Sequence, residues 1–254
     1  EGEAPDGEVE DYKMQIEEAE PEYDFGDAPD NIDIPQNYPT LLANDGARHL
    51  YNPDVFLGSL IDVELDGQPN MTATGDDVAG SADEDGVIFT STITPGQTAN
   101  VTVHASTNGI LNAWMDFNAD GDWADTGEHI FNARALTNGD NYLTFNVPAN
   151  ATIGNTFSRF RFSINGIDQY TGSAPDGEVE DYQVEVEQGE YDYGDAPDNP
   201  GALSYPTLLA HNGARHIYNS GVHLGEKIDT ETDGQPDATA TGDDNDGNDD
   251  EDGK

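Results

Sequence analysis

The 254-residue sequence has no cysteine, so no disulfide stabilises it, and only 8 basic side chains stand against 53 acidic ones. The scarcity of lysine and arginine removes the basic footprint that nucleic acids and anionic membranes require. No apolar stretch approaches the roughly 18 residues of a membrane-crossing helix. No signal-peptide pattern is read in the sequence, and the opening at Glu1 without a methionine suggests a mature or excised product, although an artificial boundary would look the same. There is no serine or cysteine in a nucleophile elbow, no glycine-rich phosphate loop and no clustered histidine site. Paired carboxylates are so abundant that no single pair marks a glycosidase centre. An enzyme is therefore not expected.

The charge of −45 with only 34% hydrophobic residues could signal disorder. Eleven tyrosines and clean apolar alternations point instead to a folded chain. Folding against so much like charge needs high external salt, or hard divalent cations among the carboxylates.

Internal similarity organises the sequence. APDGEVEDY at 4–12 returns at 174–182, and YDFGDAPD at 23–30 returns as YDYGDAPD at 191–198. YPTLLA, GARH, DGQP, TGDD and DEDG all recur at a spacing of 167 residues. This is a tandem repeat of about 167 residues cut by both termini. The expected organisation is a closing strand of a preceding unit (1–17), an acidic Asp/Gly/Pro-rich linking region (18–86), a β-domain (87–188) and a second linking region (189–254).

Within 87–188 the pattern is that of short strands separated by turn signals: 87–92, 99–105, 111–117, 128–133, 142–147, 157–164 and 182–186. Val101 and Val103 share one face, as do Leu143, Phe145 and Val147, and Phe160, Phe162 and Ile164, with Arg159 and Arg161 opposite. No helix-period stretch competes. The fold class expected is all-β: an Ig-like antiparallel β-sandwich, with a partly open barrel as the alternative, joined to acidic loop-rich linking regions. Met14 and Ile16 stand where Val184 and Val186 stand in the later copy, so 1–17 is a strand whose partners must come from elsewhere. It would add to a neighbouring molecule, or belong to a longer array of which this chain is a window.

Three acidic clusters have oxygen ligands at cation-binding spacing. Asp116, Asn118, Asp120, Asp122, Asp125 and Glu128 alternate around Gly121 like the start of an EF-hand loop. The flanks are strand-like, so a calcium loop between strands is expected, with a solvated Asx turn as the plain alternative. Glu178, Glu180 and Asp181 form the second cluster, relieved either by a cation or by Arg159 and Arg161. The third joins Asp62, Glu64 and Asp66 to Asp76, Asp77, Asp83 and Asp85, and recurs as Asp229, Asp233, Asp243, Asp244, Asp250 and Asp252. All-oxygen ligands without thiols favour several calcium ions over zinc, copper or magnesium. Asp24, Asp27 and Asp30 in YDFGDAPD are read as turn caps or further ligands.

APDGEVEDYQVEV at 174–186 resembles the signature of the GEVED domain, and the resemblance extends through WMDFNADGDWADTGEHIF at 114–131 and RFRFS at 159–163. The resemblance implies a β-rich module of large secreted bacterial surface proteins, without catalytic residues. The expected role is structural and extracellular: a calcium-stabilised unit of a surface fibre or filament, its partners other copies of itself in head-to-tail order or adjacent repeats, assembling by strand complementation. The alternative is an adhesin or carbohydrate- or protein-binding module that uses Trp114 or Trp123 as a platform for a surface glycan or protein. Sequons at Asn70, Asn100 and Asn150 allow glycans.

Overall fold

The computed structural model describes residues 2–16, 20–30, 37–75, 83–198, 205–218 and 221–242. Asp76, Asp77, Asp243, Asp244, Asp250 and Asp252 lie outside them. The strands are β1 (Tyr23–Phe25), β2 (Arg48–Leu50), β3 (Val87–Phe89), β4 (Thr98–Ala105), β5 (Gly109–Met115), β6 (His129–Leu136), β7 (Gly139–Asn146), β8 (Gly154–Ser163), β9 (Ser173–Ala174), β10 (Glu178–Val186), β11 (Tyr191–Tyr193) and β12 (Arg215–Ile217). The protein is thus all-β, with several sheets.

Two sheets share one apolar core. The first has the order β10-β8-β5-β6 and the second β3-β4-β7. Alternation in β4 and β7 turns Val101, Val103, Leu143 and Phe145 inward, against Leu111, Met115, Phe160 and Phe162 of the other sheet. Phe131 and Phe145 meet edge-to-face at 6.0 Å, and Phe89 and Phe160 at 6.1 Å. Burying each such ring is worth roughly 1.5–3 kcal/mol relative to leaving it in water.

Two expectations need correction. Ile164 is exposed, because β8 ends at Ser163 and the chain turns there, with the Ile164 amide donating to Asp176. The closing strand begins at Glu178, not Tyr182, so Glu178, Glu180 and Asp181 lie inside β10 instead of before it.

The linking region has few strands because its backbone is held by side chains. Asp30 accepts from the amides of Thr40 (2.9 Å) and Leu41 (2.7 Å), Asp66 from Leu42, Asp27 from Gly75, and Glu64 from Phe25. These side-chain bonds, from residues 10 to 48 positions away, supply the acceptors that a strand ladder would otherwise give the backbone. β1 and β2 pair antiparallel, and β9 joins β2 in parallel. In the second linking region Asp198, Asp233, Asp195 and Glu231 hold Thr207 and Leu208, Leu209, Gly242 and Tyr193 in the same way. β11 pairs β12 as β1 pairs β2. Residues 2–16 form no strand, and Val9, Tyr12, Met14 and Ile16 are exposed.

Candidate metal centre at the seam between linking region and β-domain

β10 is an edge strand whose two faces carry different chemistry. Its register with β8 sets Asp181 opposite Arg159 and Val179 opposite Arg161, while Glu178 and Glu180 stand opposite Phe162 and Phe160. Paired residues share a face, so the acidic motif splits in two.

On the arginine face the charges are satisfied within the protein. Arg159 clasps Asp181 through Nε at 2.7 Å and Nη2 at 2.6 Å, both side chains wholly buried. Its remaining donors reach Pro39 O, Tyr170 O and the Thr40 hydroxyl, and its guanidinium lies 4.6 Å from the centre of a Trp123 ring. Arg161 donates to His49 Nε2 at 3.0 Å and to the carbonyls of Gln169, Thr171 and Gly172. His49 then carries its proton on Nδ1, 2.7 Å from Asp176 O. Burial and the neighbouring Arg161 hold its pKa well below the usual range, so it is neutral.

The other face is a different case, a gathering of carboxylates. Glu178 accepts from the Leu57 amide, Glu180 Oε1 from Gly86 at 2.8 Å, and Asp24 from Val179 at 2.7 Å. Carboxylate oxygens of Asp24, Asp83 and Glu178 lie within 4.8 Å of one another, as do those of Asp62, Glu64 and Asp83. Asp83 therefore joins two trios into one cluster of five. Glu178 is wholly buried, yet among the described residues its Oε1 has no hydrogen-bond partner, and neither does Oε2 of buried Glu180.

The electrostatics follow from this crowding. Burial, with Glu64 and Asp83 close by, raises Asp24 well above the usual carboxylate range. Glu64 is pushed to about 10 by burial and by Asp62, and Glu180 to about 8 by burial. Glu178 is raised well above its normal value by burial and by Glu180. At neutral pH such a cluster must hold either protons or a hard cation. Its donors are all oxygens, from several segments of chain, a set that could coordinate a hard divalent cation.

Of the residues singled out in the sequence, the fold brings Asp62, Glu64, Asp83 and Glu178 together with Asp24, and sets Glu180 beside them. Asp181 goes to Arg159 instead, so arginine pairing and the carboxylate cluster each take part of the motif. Asp66 is exposed and caps Leu42, and Asp85 is exposed and accepts from Ser59. Asp229 and Asp233 lie in the second linking region. In the 116–128 loop, Asp116 is buried and accepts from Ala119, Gly121 and the Tyr38 hydroxyl. Asn118 donates to Asp120 and Asp125, and Asp122 accepts from the Ala124 amide. Glu128 accepts from Phe117 and Asp125, and burial raises its pKa to about 7. Among the described residues this loop gathers no trio of carboxylates like the seam. Asp24 was the member least visible in the sequence, and only its recurrence as Asp192 marked it. Trp114 and Trp123 are both buried, Trp123 against Tyr38 at 4.3 Å, which leaves neither as an open stacking platform.

Two sheets around a shared core, with a second apolar cluster of Tyr38, Trp114, Trp123 and Phe157 and an acidic segment packed on edge strand β10, define an all-β module. Residues 110–185 match the GEVED domain, so a GEVED domain is present, spanning β5 to β10. No curated protein and no solved structure matches the chain. Among the described residues no helix is long and apolar enough to cross a membrane.

Proposed function

We propose that the chain is a structural, non-enzymatic segment of an extracellular array, in which calcium at Asp24, Asp62, Glu64, Asp83 and Glu178 locks each linking region to the β-domain that follows it. The β-domain is read as an Ig-like sandwich, with domain limits 1–17, 18–86, 87–188 and 189–254. The observation that carries this reading is Glu178 Oε1: a buried carboxylate oxygen without a hydrogen-bond partner among the described residues, in a side chain whose carboxylate lies within ligand distance of Asp24 and Asp83. A buried anion left so would cost several kcal/mol, and a cation offsets that cost. The extracellular setting rests on the GEVED domain and on the high acidity. The 116–128 loop is a second candidate calcium site. Exposed Val9, Tyr12, Met14 and Ile16 support strand complementation of 1–17 with a neighbouring unit.

The test is thermal unfolding in calcium and in chelator. At about 100 times Kd, calcium adds about 2.7 kcal/mol for each site it fills. Glu178→Gln should lower calcium affinity by at least tenfold, with little change in the chelated protein's melting temperature. Identical melting with and without calcium would overturn the reading.

A further inference from the structure

The two linking regions have the same internal skeleton and opposite exposure. In the first, Tyr38, Val55 and Leu57 are 1%, 4% and 0% exposed; their counterparts 167 residues on, Tyr205, Val222 and Leu224, are 52%, 74% and 82% exposed. His49 is buried under Arg161, whereas His216 is exposed. The first set is covered by its own β-domain. Tyr38 packs on Trp123 and Phe157 and donates to Asp116, Leu57 bridges Ala105 and gives its amide to Glu178, and His49 receives Arg161.

We infer that the second linking region is a preformed docking face for a further GEVED-type β-domain, which would cover Tyr205, His216, Val222 and Leu224 as the first domain covers their counterparts. Three observations single out this occupant. The four residues are of the same chemical type as those already seen under a β-domain, with Tyr, His, Val and Leu all retained. The backbone around Tyr205 and His216 is held by the same side-chain bonds and the same strand pairing as in the first copy, without a domain on top. Its polar groups also match: Pro206, Thr207 and His216 repeat Pro39, Thr40 and His49, whose acceptor atoms receive Arg159 and Arg161 of the β-domain in the first copy. The partner is thus a β-domain with paired buried arginines, not a glycan or an unrelated acidic protein. A single domain cannot serve both linking regions at once, since its β8–β10 face is already occupied by the first.

The inference deepens the array reading through the observed interlock and does not need the cation. The chain can be extended by a second copy of its residues 87–188 placed after Lys254, and amide exchange followed over 205–242 with and without the extension. Docking should slow exchange in this segment at least tenfold, and Leu224→Glu should abolish that protection while leaving the unextended chain unchanged. An appended copy that stays unfolded, or that folds without protecting 205–242, would overturn the inference. Running both in calcium and in chelator separates the two ideas: protection in both conditions supports docking even if calcium plays no part, and absence of protection in calcium refutes docking whatever the metal does.

Discussion

Arg159 and Asp181 bring two full charges into a place where neither meets water, and each has its donors or acceptors filled. Such a pair adds modest net stability, but removing one partner strands the other. Arg159→Met should therefore destabilise the β-domain by about 3–5 kcal/mol, read from the urea midpoint. The double change Arg159→Met with Asp181→Leu should recover part of this, because no unpaired charge then remains, although Ala28 loses its acceptor. A double variant no better than the single one would mean that the guanidinium's contacts with Trp123, Pro39 and Tyr170 matter more than the ion pair.

At the scale of elements, the strands that alternate were legible and the strand that does not was only half seen. β4, β7 and β8 bury one apolar face, and their inward valines, leucine and phenylalanines could be read from period two alone, Ile164 excepted. Glu178–Asp181 gives no such signal, because both of its faces are polar or mixed and its burial comes from the linking region. The contacts responsible, Leu57 with Glu178 and Asp24 with Val179, span 121 and 155 residues, and no local pattern encodes them. The 116–128 loop was the sharpest sequence motif, and in the fold its carboxylates accept mainly from nearby amides. The start of β10 also depends on Gly177. Its φ of 99° lies where glycine is favoured, and a Cβ there would collide with the Phe162 carbonyl oxygen and press on His49. Gly177→Ala should cost roughly 1–3 kcal/mol through backbone strain alone. Because the strain displaces β10 from the linking region, exchange protection at Val179 should fall more than at Val101 in β4. Equal losses at both would argue for uniform destabilisation instead.

For the whole molecule, the seam couples stability to pH, and calcium bound there would act in the opposite direction. In the metal-free protein Glu64 is raised to about 10 and Glu180 to about 8, against an ordinary carboxylate value near 4.5. Between those values the folded chain holds protons that the unfolded chain has released, so stability falls as pH rises. The favourable contribution is complete below the unfolded value and is lost as pH climbs through 8 and then 10. Growing self-repulsion of a chain with 53 acidic residues acts in the same direction, so the slope alone does not identify the seam. Glu64→Gln does: without the titrating group, the chelated protein should lose less stability between pH 5 and 9 than the unmodified chain. Calcium competes with the same protons, so its stabilisation should grow over this range as the ligands ionise. The melting temperature in chelator should then fall from pH 5 to 8, while the increment gained on adding calcium rises. A chelated protein that grows more stable toward pH 8 would mean that the five carboxylates are not forced to share protons. A calcium increment independent of pH would place the bound ion on carboxylates that are already ionised, away from the seam.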